Sequence, residues 1–151
     1  MFRAGGGPAG APEVWNMPLI KWTFALEVKV RALDADHQNL VRLLNEFYDA
    51  AQGGHGAAVL NDTLDRLVEY TNAHFAREEA LLEKHDYPEL ADHRIAHQRL
   101  REQVQTYRAS LDGATPPSDA EVAMFLKNWL TRHIMTQDQA YSVFLRERGE
   151  R

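Results

Sequence analysis

The stretch HFAREEALLEKHDYPELADHRIAH, residues 74–97, holds four of the chain's seven histidines. His74 and Glu78 are four residues apart, as are His93 and His97, so each pair would stack on one face of a helix. Two more histidines, His37 and His133, fall on apolar-periodic segments to either side. A single histidine on such a face is ordinarily a core residue with one hydrogen bond. Five of them with a carboxylate are a different matter. Left unpaired, each would cost roughly 1–3 kcal/mol, and a whole domain is stable by only about 5–15 kcal/mol. They must satisfy one another or share a ligand. Imidazole with carboxylate suits iron, zinc, copper or nickel. The chain has no cysteine, so disulfides, thiolate metal sites and cysteine nucleophiles are excluded.

The elements that must position these groups can be read from four apolar stripes with helical spacing. The first runs His37, Leu40, Leu44, Phe47, Ala51. The second runs Leu60, Leu64, Leu67, Thr71, His74, Glu78, Leu81. The third runs Leu90, His93, His97, Leu100, Val104, Tyr107, Leu111. The fourth runs Val122, Leu126, Trp129, His133, Thr136, Ala140, with Phe144 beyond. The breaks carry turn chemistry: QGGHG, then HDYP with Pro88 suited to a first helical turn, then DGATPPSDAE, whose Ser118 and Glu121 have capping-box spacing. The expected fold is all-α, an up-down-up-down four-helix bundle. Residues 1–16, rich in Gly, Ala and Pro, are expected to form a disordered tail. The bundle domain is expected to span 17–148, with Met17 reading as a natural start and Leu19–Leu33 left irregular.

Antiparallel neighbours allow a test of depth, because residues equally far from a shared loop lie at one level. With loop centres at Gly54, Asp86 and Thr115, His37 lies 17 residues before the first and His74 lies 20 after it. Glu78 lies 8 before the second, and His93 and His97 lie 7 and 11 after it. His97 and His133 lie 18 to either side of the third. Five imidazoles and a carboxylate therefore meet in one layer. Asp138 is harder to place. It follows His133 by five residues, which is about 140° around a regular helix. It reaches the same site only if the helix widens locally or the side chain comes in from the flank. With Asp138 included, five nitrogens and two carboxylates suit two ions bridged by the carboxylates.

Composition narrows the partners. Hydrophobic residues at 44% and charged residues at 26% fit one globular domain with its own core. A net charge of -5 argues against nucleic acid or an anionic membrane surface as partner. No apolar run approaches the roughly 20 residues of a membrane span, and the opening residues lack the apolar stretch of a secretory signal. A cytoplasmic location is expected. His55 and His85 fall in loops and are expected to be solvated, and Glu79, one position past Glu78, is expected to face outward.

The elements DADH, HFAREE, HRIAH and WLTRHIMTQDQAY, in this order and spacing, resemble the hemerythrin family, specifically its single-domain bacterial members. The resemblance covers roughly Ile20 to Phe144. It implies a non-haem di-iron centre with a bridging oxo or hydroxo group. His93, His97 and His133 would hold one iron, His37 and His74 the other, and Glu78 and Asp138 would bridge them. It further implies reversible dioxygen binding, for carriage, storage or delivery, at the iron with the open position. Phe75, Trp129, Ile134 and Met135 resemble the family's pocket residues, with plain core packing as the competing reading. Tyr141 is expected to hydrogen-bond the site. Two departures stand out: Arg31 within VKVRAL, where the family often has Gly, and Asp36, where it often has Gln. Both are expected to lie outside the ligand set. Two other function classes compete. One is a sensor of dioxygen, nitric oxide or iron acting through a protein partner. The other is a di-iron oxidase or peroxidase. Ferritin-like oxidases use four or more carboxylates, so two carboxylates favour a binding protein over an enzyme.

Overall fold

The computed structural model describes residues 17–54 and 57–151. Residues 1–16, expected to be a tail, and His55, expected to be solvated, lie outside the described residues. Helix α1 spans Arg31–Gln52, α2 Ala57–Lys84, α3 Leu90–Leu111, α4 Asp119–His133 and α5 Gln139–Glu147. A π-helical turn, Ile134–Asp138, joins α4 to α5 without a break, so the two make one long rod. The result is the expected all-α four-helix bundle. Helix α1 packs on α2 and α4, and α2 packs on α3. Among the described residues no helix is long and apolar enough to cross a membrane.

Local chemistry sets the ends of these rods. Ser118 and Glu121 form the reciprocal capping box that starts α4: the Glu121 amide donates to Ser118 Oγ at 3.2 Å, and the Ser118 amide donates to Glu121 Oε2 at 3.1 Å. Helix α1 ends in a turn where Gly54 takes φ 67°, a left-handed conformation that costs glycine little. Asp86 takes φ 53° in the α2–α3 turn. Helix α3 begins at Leu90, so Pro88 lies in that turn, ahead of the first helical residue.

The segment before α1 is more ordered than its mixed pattern suggests. After a 3₁₀ turn at Phe24–Leu26 the backbone is extended at Glu27 and Val30 and bends between them at Lys29, where φ is 59°; Val28 and Val30 are buried, and α1 already starts at Arg31. Asp34, in the first turn, accepts from the Val28 and Lys29 amides at 2.8 and 3.0 Å. Ser142 Oγ donates to the Val28 carbonyl at 2.9 Å, and Gln139 Nε2 donates to the Glu27 carbonyl at 2.7 Å. This strap is thereby tied to α5.

Two apolar clusters flank the middle of the bundle. One joins Leu40, Leu44, Phe47, Leu67, Phe75, Val104, Leu126, Trp129 and Ile134. The other joins Val28, Val30, Leu33, Leu82, Tyr141 and Leu145. Along α2 the chain passes from Phe75 in the first cluster to Leu82 in the second, with Glu78 between. The polar layer is therefore plugged at both ends. The fourth stripe is corrected here. Val122, Leu126, Trp129 and His133 are buried as expected, but Thr136 and Ala140 are exposed and Phe144 is only half-buried. The π turn holds one extra residue, and the inward positions beyond it move to Asp138, Tyr141 and Leu145.

Candidate metal centre

All seven expected residues meet in the plugged layer. His37, His97, Glu78 and Asp138 are fully buried, and His74, His93 and His133 nearly so. The π turn places Asp138 there. Bonding to the fifth rather than the fourth residue makes an i,i+5 pair share a face, as an i,i+4 pair does in a regular helix. Of the two routes the sequence leaves open for Asp138, the chain takes local widening.

The two carboxylates divide their oxygens. Glu78 Oε1 lies 2.5 Å from His93 Nε2 and 3.1 Å from His97 Nε2, and Asp138 Oδ1 lies 3.1 Å from His133 Nε2. On the other side, Glu78 Oε2 lies 3.2 Å from His74 Nε2, and Asp138 Oδ2 lies 3.1 Å from His37 Nε2. Two overlapping donor groups result: Glu78, His93, His97, His133 and Asp138, and His37, His74, Glu78 and Asp138. Several features fit cations in both. All five imidazoles turn Nε2 inward, with His37 and His74 at 3.2 Å and His97 and His133 at 3.1 Å, nitrogen to nitrogen. Neither oxygen of the fully buried Asp138 has a well-aligned hydrogen bond among the described residues. The donors are nitrogen and oxygen only, a set for iron or another borderline divalent metal.

The electrostatics of these side chains follow from their contacts. Burial alone would raise the Glu78 carboxyl, but hydrogen bonds from His37, His74, His93 and His97 hold it well below the usual carboxylate range. Asp138 is likewise lowered; burial and the Glu78 charge oppose this, and His133 and His37 outweigh them. Burial opposes charge on His37, yet Asp138 and Glu78 push it up to about 10. Against burial, Asp36 and Glu78 raise His74, and Glu78 with Asp138 raises His93.

The surroundings match the expectations unevenly. Phe75 stacks on His97, with ring centroids 3.7 Å apart and planes at 9°, and sits 5.9 Å from the His74 ring. Trp129 is 6.2 Å from Phe75, and Ile134 is buried beside it. Tyr141 is fully buried and donates to Glu78 Oε2 at 2.7 Å. Burial first, then the charges of Asp138 and Glu78, push its hydroxyl well above the usual tyrosine value, so it stays a neutral donor. Met135 is corrected: it is 51% exposed, neither pocket wall nor core, because His133 and Ile134 already take the inward face and the next residue turns out. Between α3 and α4 a groove of about 450 Å³ opens over His133, lined by Arg99, Arg132 and Phe125.

Three groups escape a reading of stripes. Asp36 hydrogen-bonds His74 Nδ1 at 2.9 Å, in line with Tyr70 and Arg77. Its carboxyl lies far below the usual range, because those partners outweigh burial. Glu79 is half-buried, not outward, and takes His97 Nδ1 at 2.7 Å. His85 is in a turn as expected but is half-buried, pairing with Glu150 at 2.7 Å. Tyr70, His74 and Arg77 share one face of α2. That spacing, with Asp36 opposite, was the one available signal.

Comparison with known proteins agrees with this geometry. The family described as "Hemerythrin HHE cation binding domain" matches residues 28–144. A bacteriohemerythrin of Stenotrophomonas maltophilia (strain R551-3) is 33% identical over 126 residues, covering 83% of this chain and 81% of its own. A myohemerythrin of Riftia pachyptila is 31% identical over 120 residues, covering 80% and 88%. A crystal structure of wild-type hemerythrin superposes with a TM-score of 0.76 at 26% identity, covering 84% of this chain and 98% of that one. With the match running through every helix that carries a donor, from the strap before His37 to the residues past Asp138, this chain belongs to the hemerythrin family.

Proposed function

We propose that this chain binds dioxygen reversibly at two iron ions, and that it is a binding protein rather than an enzyme. The observation that carries this reading is the division of the carboxylate oxygens. Three histidines with Glu78 Oε1 and Asp138 Oδ1 give five donors to one position. Two histidines with Glu78 Oε2 and Asp138 Oδ2 give four to the other. The second position therefore has room for an exogenous ligand, and nitric oxide is the natural competitor there. Iron, when bound, supplies the electrons with which dioxygen is held. The chain's own residues do the rest. Tyr141 fixes the orientation of Glu78. Phe75 and Ile134 wall the layer with apolar surface, which admits a small apolar gas and disfavours water. We assign this role to a domain spanning residues 17–148.

The test is to load the protein with iron(II) without air, measure iron per chain, and record its visible spectrum before air, after air, and after the gas is removed. The expected result is a ratio near two and a band that appears with air and fades on its removal. A ratio near one, or steady dioxygen consumption with a reductant in place of a reversible band, would refute the reading.

A further inference from the structure

Asp36 sits outside both donor groups, yet all of its acceptor capacity is directed. Its Oδ2 accepts from His74 Nδ1 at 2.9 Å and from Arg77 Nε at 2.9 Å. Its Oδ1 accepts from Tyr70 Oη at 2.8 Å and from Arg77 Nη2 at 2.8 Å. Tyr70 is itself held by Asn39 Nδ2 at 3.0 Å. An ionised carboxylate only accepts, so His74 must carry a proton on Nδ1 and turn Nε2 toward Glu78 and His37. His37 has no such support: its buried Nδ1 has no hydrogen-bond partner among the described residues. Of the two imidazoles at the four-donor position, then, only His74 is oriented. The five-donor position has its own counterpart, Glu79 on His97, but two further histidines share that load.

We propose that Asp36 is a positioning residue for the metal position formed by His37, His74, Glu78 and Asp138. It fixes the tautomer and angle of His74. Its charge, offset in part by Arg77, sets how tightly that position holds a divalent ion. This rests on the two-ion reading above. Hydrogen bonding of this kind makes a ring a stronger donor and typically governs metal affinity over 10–100-fold. Arg77 is 49% exposed and acts in the opposite sense: its guanidinium draws charge from the carboxylate that supports the ring.

The experiment titrates cobalt(II) into the full chain after chelation of metal, following heat and visible absorption. Wild type is expected to bind two ions. Asp36→Asn keeps the shape and removes the charge. It should weaken one ion by about 10–100-fold and leave the other unchanged. Arg77→Gln should tighten the same ion by about two- to fivefold, the range of an exposed charge. A packing role would weaken binding in both variants. Unchanged affinities in Asp36→Asn, or a loss in both variants, would overturn the assignment of Asp36. If Asp36→Asn does not fold, the sign of the Arg77→Gln shift alone decides. A single cobalt in wild type would instead overturn the two-ion reading, and the role of Asp36 with it.

Discussion

The extra residue in the π turn can be removed, and the outcome is calculable. His133 and Asp138 are five residues apart, and past the buried pair His133 and Ile134 the next buried position on the long rod is Asp138, followed by Tyr141 and Leu145 on the same face. Deleting Thr136, which is exposed, brings the two ligands from five positions apart to four. Four residues turn a regular helix by about 400°, so Asp138 would sit about 40° from His133, on the same face. Tyr141 and Leu145 would keep their inward phase, because the deletion cancels the insertion. The losses are the Thr136 Oγ–Arg132 carbonyl bond and about 1.5 Å of axial length. A change in stability within about 1 kcal/mol is expected. Deleting Asn128, exposed in α4, is the contrast. It rotates Val122, Ala123 and Leu126 by about 100° relative to the ligands. Exposing Val122 and Leu126 alone costs about 3–6 kcal/mol, comparable with the total stability of a domain. Urea unfolding of the metal-free variants, with metal bound per chain as a second readout, separates them. If deleting Thr136 proves as damaging as deleting Asn128, the π turn is more than a shift of register and this reasoning fails.

Two further predictions concern the metal-free protein. Replacing His74 by Leu removes a donor to both Asp36 and Glu78, so it should destabilise even the apoprotein, by about 1–3 kcal/mol in urea unfolding; unchanged or increased stability would contradict the pairing. The pH dependence should be two-sided. Asp36, Glu78 and Asp138 have lowered carboxyls, so their contribution is present above the unfolded value of about 4 and is lost as pH falls toward their folded values. His37, raised from 6.5 to about 10, contributes fully below 6.5 and loses that contribution as pH climbs through about 10, with His74 and His93 acting in the same direction. Apoprotein unfolding midpoints should therefore peak between about pH 4 and 6.5, and a steady rise from pH 6.5 to 9 would contradict this.

What the sequence makes legible here follows from what a helix repeats. His37, His74, Glu78, His93, His97 and His133 stand on apolar stripes, and depth along antiparallel rods brings them level from counting alone. Asp138 breaks the count: its five-residue spacing leaves widening or a flank approach open, and the π turn supplies the first. Past His133 the stripe fails at Thr136 and Ala140, because its regular spacing runs through a register change that no residue type announces. Asp36 and Glu79 were hidden for a different reason. Each lies about 100° from an inward ligand, at the flank of its helix. Whether such a side chain meets solvent or a ring depends on the facing helix, which no single stripe encodes. The same holds for His85, whose partner Glu150 is 65 residues away. These flank carboxylates change the physical account of the core. The imidazoles are not bare polar groups waiting for metal, because Glu78, Asp138, Asp36 and Glu79 already pair with them. A proton held on a ring by a carboxylate must leave before a metal can take the same nitrogen, so metal affinity should rise with pH as His37, His74 and His93 give up theirs.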